Sequence, residues 1–105
     1  MKKIVVFASP LYYWNISGQL KCALDRLFAV AECNANYANP IKEGVLLMAA
    51  EGSDFGEAVT WYEHLMGYIG WKNLGKVLCG GVFNCGDIVG NPKLQEAYEF
   101  GKNLK

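Results

Sequence analysis

The side chains best suited to chemistry in this 105-residue sequence lie in one segment, Ser9-Pro-Leu-Tyr-Tyr-Trp-Asn-Ile-Ser-Gly-Gln-Leu-Lys-Cys-Ala-Leu-Asp-Arg26. Tyr12, Tyr13 and Trp14 offer three adjacent aromatic faces, on which a flat ring can stack or a hydrophobic partner can rest. Asn15 and Ser17 add hydrogen-bonding groups. Ser17 is also placed to cap a helix, which needs no ligand to explain it. Gly18 permits close approach of a ligand or close packing of the chain. A loop that leaves a parallel strand and enters a helix start is where α/β proteins hold flat, anionic cofactors. Free N–H groups and the positive end of the helix converge there.

Other chemistry is sparse. The four cysteines, Cys22, Cys33, Cys79 and Cys85, lack Cys-x-x-Cys spacing, and His64 is the one histidine. Zinc or cluster ligation calls for tighter clustering, so no metal site is expected. Cys22 and Cys79 are expected to pack as small apolar groups. His64 has no nucleophile or ligand partner nearby in sequence and is expected to face solvent, which leaves a pH-switch role open. No nucleophile–base pair is evident.

The elements around these residues alternate. Lys3 to Ala8 is an unbroken apolar run, as in a parallel strand buried on both faces. After Ser17, the positions Leu20, Ala23, Leu24, Leu27, Phe28 and Ala31 recur at the helical period, and Asn34 to Pro40 reads as a loop. Glu43 to Ala49 is a second buried strand. Ala50-Glu51-Gly52 turns the chain, and Ser53 or Asp54 is expected to cap a helix reaching about Tyr68. Its inner face carries Phe55, Val59, Tyr62, Leu65, Met66 and Ile69. The third strand is read as Lys76 to Phe83, with Gly80-Gly81 inside it. Asn84 to Gly90 is a loop, and Asn91-Pro92 sets cap and first-turn proline in order for a last helix. That helix directs Leu94, Ala97, Phe100 and Leu104 inward. The pattern β-α-β-α-β-α predicts three parallel strands with helices on the sheet faces, in a single domain over residues 1–105.

The Ser-Pro-x-Tyr pattern, followed by Gly18-x-Leu20-Lys21 and Asp25, resembles the flavin-contacting loop and helix of the NADPH-dependent FMN reductase family, which has the flavodoxin-like fold. Glu43 to Gly52 is similar to the family's next strand and cofactor-side turn, Gly75 through Gly86 to its last strand, and Leu94 to Leu104 to its final helix. The resemblance therefore covers the C-terminal part of the family and implies a truncated, three-layer flavodoxin-like unit. It implies FMN as cofactor and NADPH as reductant. Pro10, Tyr12, Tyr13, Trp14, Asn15, Ile16 and Gly18 would meet the isoalloxazine ring, with Ala50, Glu51 and Gly52 as the opposite wall. The family's phosphate-cradling first loop has no counterpart here. Ser9-Pro10 could be read as that loop, but the Gly18-x-Leu20-Lys21 register argues against it, and Leu11 to Trp14 is bulky for a phosphate cradle.

Without that first portion, Ile4 to Ala8 becomes a hydrophobic sheet edge, a template for pairing. A homodimer through this edge is expected, or a separate polypeptide supplying the missing half. The alternative function is a non-catalytic, oligomerising remnant or interaction module with the same fold. Trp61, Tyr62, Tyr68 and Trp71 are too many large rings for one small core, so some are expected to face a partner.

Composition narrows the classes further. Ten Lys and Arg balance ten Asp and Glu, so no basic run exists to bind nucleic acid or an anionic membrane. Fifty-two per cent of the residues are hydrophobic, yet no apolar run approaches the roughly 20 residues of a membrane span. A cytoplasmic location is expected, since the apolar run after Met1-Lys2-Lys3 is too short for a signal sequence.

Overall fold

The computed structural model describes residues 4–34 and 43–104. Along the chain run β1 (Ile4–Pro10), α1 (Gly18–Cys33), β2 (Glu43–Ala49), α2 (Gly56–Ile69), β3 (Lys72–Cys79) and α3 (Pro92–Lys102). The strands form one parallel sheet in the order β1-β2-β3, with Ile4 opposite Glu43 and Pro10 opposite Ala49. Alternation of strand and helix leaves only crossover connections between neighbours, which gives the parallel arrangement. The architecture is α/β, with the three parallel strands and three alternating helices expected above.

One face of the sheet holds the main core. Phe7, Leu46 and Met48 meet Leu24 from α1 and Ala58, Tyr62 and Met66 from α2. Phe7 lies edge-on to Tyr62 at 6.1 Å and parallel to Trp71 at 6.4 Å. Burying side chains of this size contributes roughly 1.5–3 kcal/mol each. Trp71 thus belongs to the core, whereas Tyr68 on the outer side of α2 is 79% exposed. His64 is exposed as well.

The opposite face is only partly covered. Helix α3 sits over β3, where Phe100 approaches Gly75 so closely that a Cβ there would lie 2.8 Å from the ring. Gly75 also adopts φ +137°, so the contact and the backbone both call for glycine. Beyond α3 the face opens into an apolar groove of about 380 Å³, walled by Ala8, Pro10, Leu47, Ala49, Leu94 and Ala97, among others. Three expectations are corrected here. Strand β1 is buried on one face only, with Phe7 and Ser9 inside and Val6 45% exposed. No residue of α3 is fully buried, and Leu94 is 52% exposed because it overhangs the groove. Cys79 is buried, but Cys22 is exposed on α1.

The element boundaries bring two more corrections. The residue at the cap position of α2 is Phe55 rather than Ser53 or Asp54, although the Asp54 Oδ1 accepts the N–H of Gly56, the first residue of the helix, at 3.4 Å. Strand β3 begins at Lys72 because Lys72 and Asn73 pair with Glu43 and Gly44 ahead of a register shift. It ends at Cys79, so Gly80 and Gly81 follow the strand. The expected loop over residues 34–40 lies outside the described residues beyond Asn34.

Candidate functional site

All three strands end at the same side of the sheet, and three loops leave from there. The first starts at Ser9, whose buried hydroxyl ties both of its ends together. Ser9 Oγ donates to the Pro10 carbonyl at 2.7 Å and accepts the Ser17 N–H at 2.8 Å. Ser17 in turn caps α1, its Oγ accepting the Leu20 N–H at 3.2 Å. Between these anchors the chain makes a tight reversal. The Tyr12 N–H donates to the Asn15 carbonyl at 2.9 Å, and the Asn15 N–H donates back to the Tyr12 carbonyl at 3.1 Å.

The two residues at the tip are not glycines. Tyr13 has φ +47° and Trp14 has φ +69°. A two-residue reversal with both central residues left-handed is the type I′ geometry that Asn-Gly normally supplies. Aromatic residues there cost about 1–2 kcal/mol each. Strain of this kind gathers at ligand sites, because it displays side chains that a relaxed turn would not. Tyr13 is 92% exposed, Trp14 50% and Tyr12 57%. The Tyr13 and Trp14 rings meet edge-on at 6.4 Å.

The second and third loops are zipped together. The Ala50 N–H donates to the Cys79 carbonyl at 2.9 Å, the Gly81 N–H to the Glu51 carbonyl at 3.0 Å, and the Val82 N–H to the Ala50 carbonyl at 3.0 Å. The first loop joins them through the Leu11 N–H and the Ala49 carbonyl, 3.0 Å apart. Further along the third loop, the Asp87 carboxylate accepts the Phe83 N–H at 2.9 Å and the Asn84 N–H at 2.7 Å. These two backbone bonds, Phe83's first, hold its carboxyl below the ordinary value.

The loops enclose two adjoining clefts. The first, about 370 Å³, lies between Pro10 and Tyr12 on one side and Val82 and Phe83 on the other, over residues 49–51. The second, about 340 Å³, lies between Tyr13 and Trp14 and residues 50–54. Leu11, Ala50 and Glu51 border both.

The expected site residues are thus distributed rather than gathered on one ring. Pro10 and Tyr12 line the first cleft, Tyr13, Trp14 and Gly52 line the second, and Ala50 and Glu51 stand between. Ile16 is buried in the core at 7% exposure. Asn15 uses its Oδ1 on the Ile16 N–H at 2.8 Å. Gly18 lies away from both clefts, beside Cys22 and Arg26 on α1. Val82 and Phe83 were not anticipated. An apolar run halted by Gly-Gly was the available signal, and it marks the end of β3 rather than its middle.

The lining suits a planar, largely uncharged group. Aromatic walls flank each cleft, and the turn's Tyr13 and Trp14 N–H groups donate to no acceptor among the described residues. Among the described residues no Lys or Arg lines either cleft, whereas Glu51 borders both and Asp54 the second. The isoalloxazine ring of a flavin fits this donor set; its phosphate does not. No group of three or more His, Cys, Asp or Glu among the described residues is placed to hold a metal ion.

Comparison with known proteins agrees with the family resemblance and with the sheet. The family described as NADPH-dependent FMN reductase matches residues 3–78. The chain belongs to this family. Its fold is shared with a Trp repressor binding protein from Bacillus subtilis, at TM-score 0.71 and 22% identity. That likeness covers 97% of this chain and 63% of the Bacillus protein. No curated protein matches the chain. The FMN reductase family uses flavin and a nicotinamide in related proteins, and the matched span includes the aromatic turn, both clefts' shared residues and β3 nearly to its end.

Proposed function

We propose that this chain binds a flavin in the loops at the carboxyl ends of β1 to β3 and serves as an NAD(P)H-dependent oxidoreductase of the FMN reductase family. The carrying observation is the strained Tyr13-Trp14 turn, which projects aromatic faces beside the second loop at the end of a parallel sheet. Tyr12 to Trp14 would border the ring, the free turn N–H groups would meet its polar edge, and residues 50–52 would form the facing wall. Bound FMN supplies hydride chemistry that side chains lack, taking a hydride from NADPH and passing electrons on. The protein's part is to orient the ring and keep water from its faces, so no side-chain acid or base is required.

The same reading includes a partner. Among the described residues, β1 has no neighbour on its outer side. Pairing of two copies along this edge, or of this chain with a separate polypeptide, would cover it and bring phosphate contacts that the clefts lack. A cytoplasmic location fits this chemistry; no helix among the described residues is long and apolar enough to cross a membrane.

The test is optical. Purified protein titrated into FMN should quench flavin fluorescence, and NADPH should then bleach the flavin absorbance. Absence of quenching at high protein concentration rejects the flavin reading. A second reading, a non-catalytic oligomerising module, is favoured by the exposed apolar groove beside the unpaired β1 edge. The flavin titration separates the two, because the module would self-associate in sedimentation and leave flavin fluorescence unchanged.

A further inference from the structure

The two clefts differ in what they could hold. Tyr13 and Trp14 touch each other and stand on a turn open to solvent, and their cleft is bordered by two carboxylates, Glu51 and Asp54. The first cleft carries a single charged residue, Glu51, among Pro10, Leu11, Ala49, Ala50 and Val82. Its aromatic side chains, Tyr12 and Phe83, come from different loops and make no ring contact with each other. They stand open, 57% and 72% exposed, as the two jaws of a slot.

Phe83 is also held in place. Its own N–H and that of Asn84 are clamped by the Asp87 carboxylate, and the preceding Val82 N–H is bonded to Ala50. A large apolar side chain left in water on a fixed backbone is poorly explained by stability. It is well explained by a flat partner that covers it, since preorganised jaws lose little entropy on binding. Ionic character sets the second part of the argument. A phosphate dianion near this slot meets Glu51 and, among the described residues, no cation lining either cleft. Bringing like charges together in a partly dry site opposes binding.

We infer that the Tyr12–Phe83 slot takes the uncharged ring of a flavin and that this chain by itself favours riboflavin over FMN. The inference rests on the flavin reading above and goes beyond it by making Phe83 of the third loop the jaw opposite Tyr12 and by setting the ligand's charge. Phe83 then acts as a contact residue of the site.

Fluorescence titrations of riboflavin and FMN, each with wild-type protein, Phe83→Ala, Phe83→Trp and Tyr13→Ala, decide it, with circular dichroism to show that each variant is folded. Riboflavin should bind more tightly than FMN, and equal affinities overturn the inference. Phe83→Ala should weaken both by about tenfold, Phe83→Trp should bind as wild type does, and Tyr13→Ala should weaken binding less than Phe83→Ala does. Tighter binding of FMN than riboflavin overturns the inference, as does loss on Tyr13→Ala with none on Phe83→Ala, and in both cases the flavin reading survives. Should neither flavin be quenched by wild-type protein, both fall together. The Phe83→Trp variant guards against a misfolded Phe83→Ala, because a wild-type affinity there with Ala weakened assigns the loss to the missing ring.

Discussion

The buried hydroxyl of Ser9 accepts the Ser17 N–H at 2.8 Å while donating to the Pro10 carbonyl at 2.7 Å. One side chain at the end of a strand therefore closes a loop whose other end is the cap of the next helix. The aromatic turn hangs from this clasp. Ser9→Ala leaves the Ser17 N–H without its partner, and the expected loss is about 1–2 kcal/mol in urea denaturation. Ser17→Ala removes the cap and should cost about 1 kcal/mol. The two effects should couple, since both act on one clasp. Strict additivity in the double variant would show that the loop ends are independent.

A second contact controls how closely the other loops meet. A Cβ on Gly80 would lie 2.7 Å from the Gly52 carbonyl oxygen and 3.3 Å from Ser53. Backbone cannot retreat cheaply, so Gly80→Ala should destabilise by about 1–3 kcal/mol. It should also part the Glu51–Gly81 and Ala50–Val82 bonds and widen the slot. Faster amide exchange at Gly81 and Val82 is the readout, and unchanged exchange there would contradict the close approach.

Tyr62 carries a buried hydroxyl with no hydrogen-bond partner among the described residues. Burial pushes it up to about 12 from an ordinary value of 10.0. The folded state therefore holds this proton more firmly than the unfolded chain does. The associated stability is present below pH 10 and is lost as pH rises from 10 through about 12. Tyr62→Phe removes an unsatisfied polar atom while keeping the ring packed on Phe7. It should be neutral or stabilise by up to about 1 kcal/mol at pH 7, with a shallower alkaline decline. A loss above about 2 kcal/mol at neutral pH would reveal a hydrogen bond that the geometry lacks.

Asp87 supplies the opposite dependence. Its carboxyl is held below the ordinary 3.8 by the Phe83 and Asn84 N–H groups. A depressed acid stabilises above the unfolded value and loses that contribution as pH falls through the lower, folded one. The clamp on Phe83 should be intact at pH 5 and release only below 3.8. Amide chemical shifts of Phe83 and Asn84 followed from pH 6 to 2 should titrate together in that acid range. A midpoint above 3.8 would mean that the clamp is not formed.

Local chemistry was legible in the sequence; the pairing that depends on distant residues was not. Ser17 and Asn91 cap α1 and α3 as their residue types require, with Pro92 in the first turn of α3. Strand β2 runs from Glu43 to Ala49 as its apolar run indicates, because it is the central strand and is paired along both edges. The start of β3 escaped detection, since Lys72 and Asn73 look like a polar turn and become strand only through the ladder to β2. The aromatic turn was visible in the sequence. Its division into two clefts was not, because that depends on Phe83, which reaches the site only when β3 ends at Cys79. Cys22 was misplaced for a similar reason: helical periodicity gives a face, but a helix set against a three-stranded sheet has too little surface to cover it.

The left-handed pair at Tyr13 and Trp14 means that the shape of this loop and its surface can be varied separately. Replacing them with Asn and Gly, the residues that relax into such a reversal, would leave the backbone path standing while stripping its aromatic coat. A molecule altered in this way would be a sturdier scaffold with a blank tip. Any recognition it retained would then belong to the rest of the surface, and any it lost would belong to those two rings.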